Sequence, residues 1–240
     1  MCTLMNSHLE QLREKNIELT RKKIREALKE DIYTIQLASS IEDLDKIISK
    51  MLKRLRDWYE IYLPEISNRL QDNEQFISET AKSKSELMKK YKIKESMGGD
   101  FKDTEAMECQ RKETLKMIEF RAEQQKKLEK LMEKNFPNIT AVAGGLIGAK
   151  LIAIAGSIKE LSEFPASTIQ ILGAEKALFR HMRSGARPPK YGIILSHPYV
   201  AESKEKAKSA RKLADKISIA SKVDYFKGRF IGDKLKEQLK

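Results

Sequence analysis

The sequence predicts an all-α protein in which a long antiparallel coiled-coil hairpin precedes a compact helical domain. Apolar residues in the first half recur at alternating steps of three and four, which is the spacing of a coiled coil. Charged residues make up 34% of the 240 residues and aromatic residues 7%, which is typical of long solvated helices. Because the composition changes at residues 136–138, we place the two domains at residues 1–134 and 135–240.

The clearest predicted helix of the chain begins after Ser39 or Ser40, either of which would cap it. The line of side chains that would face a partner helix starts with five apolar residues and then continues through two aromatic ones. The five apolar residues of this seam are Ile41, Leu44, Ile48, Met51 and Leu55.

The hairpin is expected to turn at Gly98 and Gly99, which give the strongest turn signal of the first half. Pro64 predicts a break in the first arm, followed by a second helical piece over residues 65–78. A return helix, capped by Asp103 or Thr104, is predicted to run to about residue 135.

Positive charge is concentrated in the second half of the chain. Residues 135–240 carry 19 lysines and arginines against 9 aspartates and glutamates, whereas the first 134 residues carry 28 against 26. A basic half beside a nearly neutral half is typical of a scaffold that binds a polyanion. General solubility is the alternative, but solubility alone would not concentrate the charge in one half.

A short basic helix and the stiff loop after it form the most distinctive stretch of the sequence. Gly185 can end the helix in a left-handed conformation, and Pro188 and Pro189 stiffen the loop. His181 is predicted either to contact RNA by stacking or hydrogen bonding, or to fill space at the helix end. Five cations within fifteen residues predict phosphate binding that weakens with salt: Lys176, Arg180, Arg183, Arg187 and Lys190.

A second basic face is predicted on the helix over residues 201–222, opposite an apolar face. Simple solvation explains this face about as well as phosphate binding does. Few aromatic residues lie near either basic segment, which favours structured RNA recognised by shape over a single strand bound by stacking. The residues of this second face are Lys204, Lys208, Arg211 and Lys212.

Three local features between the domain boundary and the second basic face lead to further expectations. Asn138 is predicted to cap a single helix over residues 139–155. Thr168 is predicted to cap the basic signature helix. The brief apolar run over residues 192–195 is compatible with a short strand.

Several classes of protein are disfavoured by what the sequence contains. Cys2 and Cys109 stand apart from each other and from any histidine at zinc spacing, so neither a metal site nor a disulfide is predicted. No nucleophile, paired carboxylate or nucleotide-binding lysine stands in a catalytic pattern, so we predict neither an enzyme nor a cofactor. The amino terminus lacks the apolar core of a signal peptide, and the most apolar run is interrupted by Lys150, so no membrane span is predicted.

Two segments of the second half carry a resemblance to a known family. GAEKALFRHM, starting at Gly173, and GARPPKYGIILSHP, starting at Gly185, resemble the signature of the Nop domain. This domain is the RNA-binding module of box C/D ribonucleoprotein scaffolds and of a spliceosomal relative. In the first half, LDKIISKMLKRLRDWYEIYLPEI is similar to the coiled-coil segment that precedes the Nop domain in archaeal scaffolds.

The resemblance implies recognition of a composite surface, made of a kink-turn in a box C/D guide RNA and the small protein bound to it. Gly173, Ala174 and Glu175, together with Lys176, would lie at that junction of RNA and protein. Ala177, Leu178 and Phe179, with Arg180, would face the RNA stem or the end of the guide–target duplex. The hairpin would pair two copies of the chain through the seam named above, although a hairpin that packs only on itself is the alternative.

The sequence also departs from the family pattern. Archaeal scaffolds normally carry an additional amino-terminal domain that recruits the methyltransferase fibrillarin, and only about twenty residues precede the first matched helix here. Recruitment of fibrillarin is therefore in doubt. The resemblance implies a scaffold for guide-directed ribose 2′-O-methylation in the cytoplasm of an archaeal cell. A nonspecific RNA-binding coiled-coil adaptor and a pre-mRNA processing factor of the same family are the alternatives.

Overall fold

The computed structural model describes residues 2–27 and 30–239, and every regular element within these ranges is helical. The predicted all-α class is confirmed. The fourteen α-helices in this described part are α1 (Cys2–Ala27), α2 (Glu30–Tyr62), α3 (Pro64–Arg69), α4 (Asn73–Glu79), α5 (Lys84–Lys90), α6 (Glu105–Asn135), α7 (Pro137–Ala143), α8 (Gly145–Ala155), α9 (Ile158–Glu163), α10 (Ala166–Ile171), α11 (Glu175–Ser184), α12 (Pro198–Ala201), α13 (Lys206–Tyr225) and α14 (Gly232–Glu237).

The chain forms two compact units, and they do not coincide with a simple division of the sequence. One unit comprises residues 39–127, and the other combines residues up to 38 with residues 128–240. Helices α2 and α6 each contribute to both units. The predicted functional boundary between residues 134 and 135 stays a prediction.

Helices α2 and α6 form the predicted antiparallel hairpin. Arg121 on α6 donates to the Asp45 carboxylate on α2 at 2.8 Å, and Gln110 donates to the Met51 carbonyl at 3.2 Å. The residue that lies later in α2 contacts the residue that lies earlier in α6, so the two helices are antiparallel. Between the arms lies a small apolar core made of Leu44, Ile48, Leu52, Ile77, Met117 and Ile118.

The end of the hairpin is a cluster of three short helices, α3 to α5, and the expected simple turn at Gly98 and Gly99 is wrong. These glycines instead fold back onto the end of α2, where the Gly99 amide donates to the Ile61 carbonyl at 3.0 Å. A Cβ atom on Gly98 would lie 2.4 Å from the Tyr62 carbonyl oxygen, so only glycine permits this approach. The helical piece predicted over residues 65–78 is likewise divided into α3 and α4.

Two predicted helix boundaries also differ from the structure. Ser39 and Ser40 lie inside α2, because that helix begins nine residues earlier, at Glu30. The single helix predicted over residues 139–155 is divided at Gly144, whose φ of 78° is a left-handed value.

No single helix in the described ranges is long and apolar enough to cross a membrane, and only α7 and α8 together, bent by 114°, meet that test of length and composition.

Helix α13 is the centre of the larger unit, where it packs against α7, α9 and α10. Its buried positions recur at helical spacing and include Leu213, Ala214 and Ile217. The opposite face is exposed and carries Lys208 and Arg211. The apolar side of α13 thus fixes the helix, and this leaves its basic side in the solvent.

A buried polar network connects the end of α13 to the start of α7. The Asp224 carboxylate accepts hydrogen bonds from the Asn138 amide, the Asn138 side chain and the Ile139 amide, at 2.7–3.1 Å. The Asn138 side-chain oxygen accepts from the Ile231 amide at 2.8 Å. Asn138 therefore joins three segments, and the expectation that it caps a helix by itself is wrong because Pro137 already occupies the first turn of α7.

Candidate nucleic-acid interface

Helix α11, which carries the signature motif, contains no buried residue. Leu172, three residues before its first residue, is buried. Lys176, Arg180 and Arg183 are all exposed, so the predicted basic face is open to solvent. An exposed helix that gains little from packing is unusual, because tertiary packing normally stabilises short helices.

The start of α11 is ordered by its own residues. Gly173 has a φ of 88°, and a Cβ atom there would lie 2.6 Å from the Ile193 side chain. The Glu175 carboxylate accepts from the Gly173 amide at 2.6 Å and so holds the turn closed. Ala174 occupies the cap position, and the expectation that Thr168 caps this helix is wrong because Thr168 lies within α10. The predicted contact of Gly173, Ala174 and Glu175 with RNA and partner protein stays a prediction.

The end of α11 is fixed in the way the sequence predicts. Gly185 adopts the left-handed conformation, with a φ of 66°, and its amide donates to the His181 carbonyl at 2.9 Å. The His181 ring nitrogen Nδ1 hydrogen-bonds the Ala186 carbonyl. His181 therefore holds the loop against the helix end, while its predicted contact with RNA is untested.

The loop after α11 that contains Pro188 and Pro189, called the proline loop below, is attached to the end of α10 by three hydrogen bonds. Gln170 takes part in two, because its side chain donates to the Lys190 carbonyl at 2.6 Å and its own carbonyl accepts from Gly192 at 2.8 Å. The Ile193 amide donates to the Leu172 carbonyl at 2.9 Å. The following apolar run forms a 3-10 helix, Ile193–Ser196, so the expected short strand is wrong.

The proline loop and the basic face of α13 meet at one cleft. A cavity of about 450 Å³ lies between the proline loop and α13, and the residues lining it are Gln170, Pro189, Lys190, Ala207, Lys208 and Arg211. Lys190 from the loop is thereby placed beside Lys208 and Arg211 from α13. The sequence does not predict this arrangement, because the 3-10 helix Ile193–Ser196 and α12 lie between the loop and α13 in the chain.

The positive charge of this surface is largely uncompensated. Lys208 pairs with Glu205 at 3.2 Å, and both side chains are more than two thirds exposed, so solvent screens that pair. None of the other nine predicted cationic or histidine side chains forms an ion pair with the described residues. Arg187 and Lys212 are exposed but do not line the cleft, and Lys204 lies in the turn before α13 and not on the predicted helix.

Apolar side chains project from the same helix. Phe179 is 62% exposed and Met182 is 73% exposed, while Ala177 and Leu178 are half-buried. The resemblance implies that Phe179 faces the RNA. Met182 lies three residues later on the same helix and is not among the predicted site residues. Exposed apolar groups beside cations suit a partner that offers both stacking surfaces and negative charge.

The residues of the predicted seam lie within the chain's own hairpin. Ile41, Ile48 and Leu55 are buried, and Leu44 and Met51 are half-buried. Their predicted role in pairing two copies is untested. The described residues also contain no group of three or more histidine, cysteine or acidic side chains suited to a metal ion.

Known proteins resemble the chain along most of its length. A family model described as "Nop: snoRNA binding domain, fibrillarin" matches residues 40–240. An uncharacterised NOP5 family protein of Methanocaldococcus jannaschii is 41% identical over 92% of this chain and 59% of that protein. Nucleolar protein 56 of Dictyostelium discoideum is 36% identical over 82% of this chain and 41% of its own length. The human nucleolar protein 56 is 34% identical over 87% and 40%, respectively.

A crystal structure of a fibrillarin/Nop5p complex contains a chain of similar fold. It aligns with a TM-score of 0.57 and 28% identity, and covers 96% of this chain and 75% of that chain. The present chain spans about 40–60% of the length of the curated relatives it matches. The signature motif, the helical fold and the match over residues 40–240 agree, and the chain belongs to the Nop family.

Proposed function

We propose that this protein is a non-catalytic RNA-binding scaffold of a box C/D small ribonucleoprotein. It would recognise a kink-turn RNA together with the protein already bound to that RNA, and so support guide-directed ribose 2′-O-methylation. The observation that carries the proposal is the surface formed by α11, the proline loop and α13. Apart from Lys208, which pairs with Glu205 in solvent, its exposed cations form no ion pair within the described residues, and they adjoin exposed apolar groups.

The geometry of that surface favours a structured ligand. The loop is held at Gln170, Gly192 and His181, so its cations are presented from a rigid backbone. Rigid cations can match a fixed arrangement of phosphates without losing much conformational entropy on binding. Phosphates of a folded RNA offer such an arrangement, whereas a flexible polyanion does not.

The exposed, weakly packed helix α11 favours recognition of two partners at once. One side of α11 carries Lys176 and Arg180, which would meet phosphates, while Phe179 and Met182 offer an apolar contact. RNA alone would contact the two cations of α11. The protein bound to the kink-turn would contact the start of the helix. Affinity should therefore depend on both partners.

We further propose that two copies pair through the hairpin, as the resemblance implies. A dimer would place two RNA-binding surfaces on one particle. Fibrillarin binds the relative that the complex structure contains. Because the chain spans only about 40–60% of the length of the curated relatives, recruitment of fibrillarin by this chain is not proposed.

Binding to a box C/D kink-turn RNA, measured with and without its kink-turn protein across a salt series, tests the proposal. Tight binding is expected only with the kink-turn protein present, and the affinity should fall steeply as salt increases. Lys176→Ala and Arg180→Ala should each weaken binding about 10- to 100-fold, as expected for the loss of a charged hydrogen bond. Lys53→Ala, which removes an exposed lysine of α2, serves as the matched control.

The alternative functions give different results in the same experiment. A nonspecific adaptor would bind any duplex equally well, with or without the kink-turn protein. If the two α11 variants and the Lys53→Ala control bind alike, the interface proposed here is wrong. A separate measurement of guide-directed methylation in the presence of fibrillarin distinguishes the remaining alternative. A methylation scaffold should support the reaction, whereas an RNA-processing factor of the same family should not.

A further inference from the structure

The loop between α13 and α14 presents two phenylalanines and two cations to the solvent. Its sequence is Phe226-Lys227-Gly228-Arg229-Phe230, and all five residues are exposed. Phe226 is 76% exposed and Phe230 is 52% exposed. Single exposed apolar residues are common on protein surfaces, but two phenylalanines within five exposed residues are not explained by chance alone.

The loop is held rigidly at both ends. At its start the amides of Lys227 and Gly228 donate to the carbonyls of Asp224 and Val223, which closes the end of α13 with the paired bonds of a Schellman motif. At its end the Ile231 amide donates to the side chain of buried Asn138. The exposed side chains therefore project from a fixed backbone that a ligand need not order.

Lys227 occupies a conformation that normally favours glycine. Its φ is 51°, in the left-handed region, at the position after the helix where glycine is the usual residue. A lysine at this position costs backbone energy that a glycine would avoid. Lys227 and Arg229 also form no ion pair with the described residues. The cleft beside Lys227 includes a second cation, Lys159, and the acidic residues Glu30 and Asp31.

From this geometry we infer that the loop is a second RNA contact, one that binds single-stranded RNA. Phe226 and Phe230 would stack on bases, while Lys227 and Arg229 would bind the flanking phosphates. Stacking on an aromatic ring and charge on the backbone are the two interactions by which proteins hold single strands without reading their sequence. The inference rests on the proposed function only in that both require RNA, because it concerns different residues and a different RNA.

A partner protein is the competing ligand for the same loop. Apolar residues flanked by cations also occur at protein interfaces. The cations favour RNA here, because phosphates would supply the negative charge with which Lys227 and Arg229 form no ion pair among the described residues, whereas an apolar protein contact would not. The experiment below separates the two ligands.

Fluorescence anisotropy of a labelled twelve-nucleotide oligouridylate, titrated with the full chain, tests the inference. Phe226→Ala and Phe230→Ala should each weaken binding about 5-fold or more, because each removes one stacking partner. Phe101→Ala, which removes an exposed phenylalanine of the other unit, should leave the affinity unchanged. Thermal melting of every variant verifies that the fold is retained.

A pair of lysine variants separates an RNA role from a structural one. Lys227→Gly should weaken oligouridylate binding, while its melting temperature stays the same or rises by about 2–4 °C as the backbone strain is relieved. Lys92 has a φ of 53° and closes α5 with the same paired bonds, so Lys92→Gly is the matched control. The control should show the same stability effect without any change in affinity.

The outcomes are decisive in either direction. Oligouridylate that fails to bind the wild-type chain, or that binds the Phe226 and Phe230 variants as tightly as the wild type, overturns the inference and leaves a protein partner as the ligand of this loop. Lys176→Ala should weaken binding of the kink-turn complex while oligouridylate binding is retained. Failure of the kink-turn experiment alone would thus contradict the proposed function and not the single-strand site.

Discussion

His197 shows how one side chain makes the fold sensitive to pH. Its ring nitrogen Nδ1 accepts from the Tyr199 amide at 3.2 Å and thereby caps the short helix α12. Burial lowers the pKa of His197 below its ordinary value of 6.5, and nearby Lys236 lowers it further. A hydrogen bond with the Val142 backbone opposes this shift. The folded chain therefore favours the neutral ring.

We expect this histidine to reduce stability in mildly acidic solution. Because the pKa is lower in the folded state, the stabilising effect of the neutral ring is complete above 6.5 and is lost as the pH falls through the folded-state pKa. Thermal melting of the wild type and His197→Asn between pH 7.5 and 5 measures the effect, because asparagine can cap but does not titrate. The variant should lose less stability on acidification, and equal losses would contradict the assignment.

Single residues also account for the parts of the site that the sequence could predict. Gly185 stands directly after a run with helical spacing, so its left-handed stop follows from local chemistry and is confirmed. The contact of Gln170 with Lys190 spans twenty residues and has no local signal. The hydrogen bond by which the Glu175 carboxylate closes its own turn likewise has no signal in the sequence, and the contact with a partner that the resemblance implies for Glu175 stays a prediction.

At the scale of elements, the proline loop depends on one close backbone approach. A Cβ atom on Gly192 would lie 2.0 Å from the Leu172 carbonyl oxygen, and that atom belongs to backbone that cannot rotate away. The same carbonyl accepts from the Ile193 amide. Any side chain at residue 192 must therefore push the loop away from the end of α10.

We expect Gly192→Ala to detach the proline loop from α10. The unfolding free energy should fall by about 1–3 kcal/mol, as expected when a well-packed contact is overfilled. Hydrogen exchange at the amide of Ile193 should become faster because its acceptor moves away. Gly99→Ala is the control, since no atom lies within 4 Å of a Cβ there, and equal behaviour of the two variants would show that the loop does not need this contact.

Element boundaries were harder to predict than element types, for a physical reason. The apolar spacing that marks α2 and α6 depends only on residues close in sequence, and both helices are confirmed. The division at Gly144 and the helical cluster at the hairpin end depend on packing between distant residues. Gly98, for example, carries a local turn signal, but its contact with the Tyr62 carbonyl is set by tertiary structure, so the end of the hairpin could not be placed from the sequence.

At the scale of the whole molecule, the question is which face of the hairpin could pair with a second copy. The predicted seam residues are already used within the chain, so their substitution would destabilise the hairpin and not simply separate a dimer. Apolar side chains that remain available lie on the outer faces of both arms. Ile47 on α2 is 43% exposed and Phe120 on α6 is 47% exposed.

We expect the full chain to have the mass of a dimer in light scattering, with this outer apolar face at the contact. Phe120→Asp should then yield a monomer, because it would bury an unpaired charge in the interface. Circular dichroism should show that its helix content is unchanged. Ile48→Ala, at a buried seam position, should instead lower stability by about 1–4 kcal/mol without changing the mass. A wild-type monomer would contradict the proposed pairing.

The network around Asn138 has a consequence for how the chain acquires its structure. Asn138 bonds a carboxylate 86 residues later and an amide 93 residues later in the sequence. A nascent chain emerging from the ribosome cannot complete these bonds until residue 231 is synthesised and free. The bonded residues of the hairpin end at Arg121, so the hairpin can form while the surface proposed to bind RNA is still incomplete.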